Sequence, residues 1–85
     1  MSVVLKKDDI TKIYDEVDRR LRFDVYDDSL APEDVPAERA SMLQGVYSAI
    51  CSIVPIDNWR EIVWWIDDIE TERYNDDRRI VHIRG

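Results

Sequence analysis

The most apolar stretch of the chain is Trp59-Arg60-Glu61-Ile62-Val63-Trp64-Trp65-Ile66-Asp67-Asp68-Ile69, which holds all three tryptophans. Apolar side chains recur in it at helical spacing and form one stripe, made of Trp59, Ile62, Val63, Ile66 and Ile69. Such a stripe is typical of an amphipathic helix that packs on a core. Trp65 lies beside the stripe and Trp64 well off it, because consecutive residues of a helix point about 100° apart. We expect the rest of the chain to fold around this helix.

The predicted helix containing the tryptophans covers about residues 58–74. Asn58, followed three residues later by Glu61, resembles a capping box, and Asp57 could cap instead. Beyond a turn at 75–77, residues 78–84 read as a short strand or tail. That strand could pair with residues 2–6, which are also β-prone.

An earlier helix is predicted over about residues 9–22, with Asp8 and Asp9 suited to its N-terminus. Its apolar stripe is Ile10, Ile13, Tyr14, Val17 and Leu21. On the opposite face, the spacing predicts two ion pairs of the i, i+4 type, Asp15–Arg19 and Glu16–Arg20.

Between these two, a helix is predicted over about residues 36–53, with Pro36 in its first turn and Pro55 as its stop. Its stripe is Met42 or Leu43, Val46, Tyr47, Ile50 and Ile53 or Val54. Gly45 and Ala49, four residues apart, indicate a close helix crossing. Cys51 lies in an apolar run and is expected to be a small core residue.

Residues 23–35 form the predicted connection between the first two helices, a long acidic loop. Its charged residues are all acidic: Asp24, Asp27, Asp28, Glu33 and Asp34. Pro32 and Pro36 should each hold the preceding residue away from helical geometry. A loop this long in a small domain is usually functional or poorly ordered, although its apolar residues should pack partly on the helices. The fold class is therefore mainly α, one domain over residues 1–85, a small three-helix bundle with a long acidic loop.

The net charge is −7 and the sequence pI about 4.5, which opposes binding to nucleic acid or an anionic membrane and permits a basic partner. One cysteine allows no intrachain disulfide, and no apolar stretch could span a bilayer. A reducing, cytoplasmic setting is the expectation.

Motifs that carry chemistry are absent from the sequence. The single histidine, His82, and the single cysteine are far apart, so we expect no zinc site. The acidic loop lacks the spacing of an EF-hand, and no glycine-rich phosphate loop or nucleophile elbow is present. The chain is predicted to be no enzyme and to hold no metal or cofactor.

The predicted partner-binding residues combine the loop carboxylates with the acidic part of the tryptophan helix: Asp24, Asp27, Asp28, Glu33, Asp34, Trp64, Asp67, Asp68, Glu70 and Glu72. Two alternatives hold for the adjacent tryptophans: a wide stripe buries both Trp64 and Trp65, or one is exposed and anchors a partner. In the second case the nearby carboxylates would steer a basic partner towards it.

The leading hypothesis is a non-enzymatic protein that inhibits or sequesters a basic, nucleic-acid-binding partner by presenting carboxylates in place of phosphates. In size and charge the chain is similar to small acidic inhibitors of phages and mobile elements, such as anti-CRISPR proteins and DNA mimics. One alternative is an immunity protein or antitoxin that blocks a basic toxin. The other is a structural or adaptor subunit that forms a homo-oligomer through its tryptophan surface.

Overall fold

The fold contains three helices and no sheet among the residues described. The computed structural model describes the backbone of residues 1–84 and the side chains of residues 1–74. In chain order the elements are α1 (Lys7–Tyr26), a short 3-10 helix (Pro32–Asp34), α2 (Val35–Ile53) and α3 (Trp59–Arg84). The prediction of a mainly α domain with three packed helices is confirmed. Over the part of the chain that is described, no helix combines the length and apolar character that crossing a bilayer requires.

Half of the buried core comes from α1. The predicted stripe of α1 is confirmed, since Ile10, Tyr14, Val17 and Leu21 are all buried and Ile13 packs beside them. The other buried residues are Leu43 from α2, Ile56 from the connection, and Ile62 and Ile69 from α3. Both α2 and α3 pack against α1, so α1 is the element that the other two helices share.

α1 and α3 run parallel, and α2 runs antiparallel to both. The hydroxyl of Tyr14 on α1 donates to Glu70 on α3, and four residues further along each helix Tyr74 donates to Asp18. Between α2 and α3 the order reverses: Tyr47 packs edge-on against Trp59 while Arg39 lies over Tyr74. Chain order therefore produces an up-down-up arrangement.

α1 continues one turn further than the sequence indicates and shortens the predicted acidic loop. It ends at Tyr26 rather than residue 22, and Asp28 then adopts a left-handed conformation with φ 64°. The backbone N–H groups of Ser29 and Leu30 both donate to the carbonyl of Asp24, which closes the end of the helix. The long loop at 23–35 is thus not confirmed, because the residues outside helix are confined to 27–31.

The backbone conformation of the residue before each proline was predicted correctly for one of the two prolines only. Ala31, before Pro32, is extended with φ −72° and ψ 140°, as predicted. Val35, before Pro36, is instead helical with φ −57° and ψ −45°. Its side chain packs against the core, and that contact offsets the local steric preference.

Two predictions for α2 are wrong. A Cβ built on Gly45 meets no atom within 4 Å, and Ala49 is exposed, so the pair does not mark a close helix crossing. Cys51 is exposed rather than in the core. Both errors arise because only Leu43 of the α2 stripe is fully buried, with Met42, Tyr47 and Ile50 packed at the edge of the core.

The first residues pair with the α2–α3 connection rather than with the C-terminal segment. Val3 forms a parallel bridge with Ile56, held by hydrogen bonds to Pro55 and from Asp57. The side chain of Asn58 bonds the backbone N–H and carbonyl of Leu5 and therefore does not cap α3 as predicted.

The predicted strand or tail at 78–84, and its pairing with residues 2–6, are not confirmed, because α3 continues to Arg84. No glycine or proline interrupts residues 59–84, and the turn signal Asn75-Asp76-Asp77 alone is too weak to end a helix. Arginines near the C-terminal end also favour the helix through its dipole.

Candidate interaction surface

The outer face of α3 carries the exposed apolar side chains of the tryptophan stretch. Trp64 is 67% exposed and Val63 58% exposed, whereas Trp65 packs against the core. Of the two alternatives for the adjacent tryptophans, the structure shows the one in which a ring is exposed, and it is Trp64. Val63, expected on the buried stripe, lies outside it, because the buried line of α3 runs through Ile62 and Ile69.

Carboxylates surround Trp64 on the helix surface. Residues three and four positions away on a helix are its neighbours. For Trp64 these are Arg60, Glu61, Asp67 and Asp68, all exposed, so three carboxylates and one guanidinium surround the indole. We call Glu61, Trp64, Asp67 and Asp68 the Trp64 face.

Few contacts neutralise the Trp64 face within the described part of the chain. The ammonium of Lys7 lies 3.9 Å from the Asp68 carboxylate, and both side chains are about half exposed. A pair at that distance in water contributes little, so the carboxylate stays available to a partner. No described cation lies within ion-pair distance of Glu61 or Asp67 among residues 1–74.

Glu70 and Glu72, also predicted to bind a partner, differ in their surroundings. Glu70 accepts a hydrogen bond of 2.6 Å from the buried hydroxyl of Tyr14. Burial, and then this bond, raise the pKa of Tyr14 well above its usual value. The carboxylate of Glu70 is thus already engaged in holding α1 to α3, while Glu72 is exposed on α3.

Two of the predicted loop carboxylates are engaged at the C-terminal end of α1 and directly after it. Asp24 lies in the last turn of α1, mostly buried, with one oxygen 3.3 Å from Nε of Arg20. Asp27 accepts hydrogen bonds from the hydroxyl and the backbone N–H of Ser29. Those bonds hold the pKa of Asp27 below its usual value.

The remaining loop carboxylates form a second acidic group beyond the end of α1. Asp28, Glu33 and Asp34 are exposed, and no described basic side chain pairs with them within residues 1–74. Asp27 adjoins them, and we call the four the connection carboxylates. Because Glu70 is level with Tyr14, Asp67 lies roughly 25 Å along the helix axis from Asp28, at 1.5 Å per residue. The structure therefore places seven of the ten predicted partner-binding residues in two separate groups rather than on one continuous surface.

A cluster of charges that the sequence did not predict joins all three helices around Asp18. Its carboxylate on α1 accepts hydrogen bonds from Arg39 of α2 at 3.0 Å, from Arg73 of α3 at 3.0 Å and from Tyr74 of α3 at 2.7 Å. Arg73 also binds Asp15, and the guanidinium of Arg39 lies 3.8 Å from the centre of the Tyr74 ring. We call these five residues the Asp18 cluster.

The Asp18 cluster keeps its central carboxylate ionised. Burial of Asp18 opposes ionisation, but the hydrogen bonds from Tyr74, Arg39 and Arg73 outweigh it and lower the pKa of this carboxyl. The predicted i, i+4 pairs were also wrong, since Arg19 binds Glu16 and Arg20 binds Asp24. The partners of Asp18 are 21 or more residues away, beyond the reach of spacing rules.

No group of His, Cys, Asp and Glu side chains within the described residues is arranged to hold a metal ion. In comparisons with known proteins, no family model, curated protein or solved structure matches the chain.

Proposed function

We propose that the protein is a non-enzymatic binding protein that docks a basic protein partner on the Trp64 face. The observation that carries the proposal is the exposure of Trp64, 67%, between three carboxylates and one guanidinium. An aromatic ring in water is costly and supplies a large apolar area when covered, which is why tryptophan is common among the dominant residues of interfaces.

The carboxylates around Trp64 favour a partner whose contact surface is positively charged. Glu61, Asp67 and Asp68 outnumber Arg60 on the same face. Complementary charge at the rim of an interface raises the association rate and rejects partners of like charge. A basic surface with an aromatic-sized cleft fits this arrangement.

The connection carboxylates extend the proposal to a partner long enough to contact both acidic groups. With about 25 Å between Asp67 and Asp28, the partner would need an extended basic surface. Surfaces of that kind bind the regularly spaced phosphates of nucleic acid, about one charge per 1.7 Å of duplex axis. The inhibitor of a nucleic-acid-binding protein, of the DNA-mimic or anti-CRISPR type, is the narrower form of the proposal.

The test is a salt-dependent capture from cell lysate followed by association kinetics with the captured partner. The variant Asp67→Lys is expected to slow association several-fold at low salt, and Trp64→Ala to speed dissociation. The matched control is Glu38→Lys, which reverses an exposed acid on α2 with no described contact. The double variant Glu33→Lys/Asp34→Lys tests separately whether the connection carboxylates contribute to the association rate.

Capture of only neutral or acidic partners, insensitive to salt, would contradict the proposal. If the Glu38→Lys control slows association by the same factor, the effect is one of overall net charge. That result would also contradict binding at the Trp64 face.

A further inference from the structure

The outer face of α1 carries exposed aromatic and basic side chains in an otherwise acidic protein. Because α1 extends to Tyr26, the residues Arg19, Arg22, Phe23 and Tyr26 stand at i, i+3, i+4 and i+7 on one side of the helix. Phe23 is 61% exposed and Tyr26 87% exposed. The sequence predicts a loop for both rings, and in a loop a spacing of three or four residues does not place side chains on one side.

These side chains line a shallow depression with a positive balance of charge. The residues around it, which we call the Arg22 face, are Glu16, Arg19, Arg20, Arg22, Phe23 and Tyr26. Arg19 pairs with Glu16 and Arg20 with Asp24. Arg22 has no ion-pair partner among the described side chains, so three guanidinium groups meet two carboxylates.

We propose that the Arg22 face binds the Trp64 face of a second copy of the chain. One face offers an exposed indole, and the other a depression lined by two aromatic rings. The two faces are complementary in charge, since Asp67 and Asp68 flank the indole and arginines flank the depression. Arginine stacks favourably on an indole face, and aromatic rings pack on one another edge-on or offset.

The two faces lie on different helices and at different heights along them, so one contact uses two unlike surfaces. An interface of this heterologous kind lets each molecule provide its Trp64 face to one neighbour and its Arg22 face to another. Each face is a small patch, so the association is weak. This inference does not depend on the proposed function, although both would use Trp64.

The test exploits the unlike surfaces by removing one at a time and then mixing the variants. In sedimentation velocity at physiological ionic strength, where the repulsion between chains of net charge −7 is screened, the mass of the wild-type chain should rise with concentration. Trp64→Ala alone and the double variant Phe23→Ala/Tyr26→Ala alone should each remain monomeric. Their equimolar mixture should form dimers and nothing larger, because only one intact face of each kind remains. The control Val4→Ala, which truncates an exposed side chain elsewhere, should associate like the wild type.

Three results would overturn the inference. One is a wild-type chain that stays monomeric at every concentration; another is an unimpaired Phe23→Ala/Tyr26→Ala variant, which would mean that Trp64 contacts some other surface. The third is a monomeric mixture while the wild type associates. None of these bears on the capture of a basic partner, so the two proposals fail separately.

Discussion

At the scale of single residues, Asp18 is where the three helices are tied together. It is the acceptor for two arginines and one tyrosine that belong to α2 and α3. The side chain of Asp18 is only 18% exposed and that of Arg39 only 17%. Water therefore cannot fully replace the hydrogen bonds between them if one partner is removed. Removing the carboxylate would leave the mostly buried guanidinium of Arg39 without a counter-charge and Arg73 with Asp15 alone, and that is more costly than losing an exposed ion pair.

Asp18→Asn should lower the free energy of unfolding by about 3 kcal/mol, measured by urea denaturation at neutral pH. The matched control is Asp15→Asn, an exposed carboxylate that shares the partner Arg73, with an expected loss below about 1 kcal/mol. Because the pKa of Asp18 is lowered on folding, its contribution is full above the unfolded pKa and is lost as pH falls through the folded value. The difference between wild type and Asp18→Asn should therefore shrink below about pH 4. A gap that is constant down to acid denaturation, or equal losses from the two variants, would contradict this role.

At the scale of elements, α2 is the helix least embedded in the core. Leu43 is its only buried residue among those described, and Gly45 and Ala49 lie on its exposed side. A glycine there has a conformational cost and no packing role, since Gly45 has open space around it.

Gly45→Ala should therefore raise the free energy of unfolding by about 1 kcal/mol, seen as a higher melting temperature. Ala49→Gly, one turn along the same exposed side, is the matched control and should lower it by a similar amount. A Gly45→Ala variant that is less stable than the wild type would instead support the close helix crossing that the sequence indicated.

The sequence predicts the buried faces of the helices better than it predicts where the helices end. The stripe of α1 was predicted correctly because four of its residues are buried at regular helical spacing. The ends of helices were predicted less well, because the end of α1 depends on the left-handed conformation of Asp28, a residue with only a modest preference for it. Cys51 was misplaced because apolar neighbours in sequence do not show which face of a partly exposed helix is covered.

At the scale of the whole molecule, the charges fall into distinct areas. The Trp64 face and the connection carboxylates are acidic, the Arg22 face is basic, and the Asp18 cluster is neutralised between helices. Composition predicted the net charge of −7 but could not predict this division, which depends on which helix faces meet. Three of the ten predicted site residues, Trp64, Asp67 and Asp68, lie together on one face, while Glu70 and Asp24 are engaged internally.

The exposure of Trp64 among carboxylates is the claim on which the proposed function depends, and fluorescence quenching measures it directly. Cations concentrate at a negative face and anions are excluded from it. The quenching constant of the protein, divided by that of free N-acetyltryptophanamide at the same ionic strength, should therefore be larger for caesium than for iodide. Trp64→Phe should abolish most of that difference, whereas Trp65→Phe, which removes a ring packed on the core, should leave it intact. A larger normalised constant for iodide, or a preference for caesium that survives Trp64→Phe, would contradict the account.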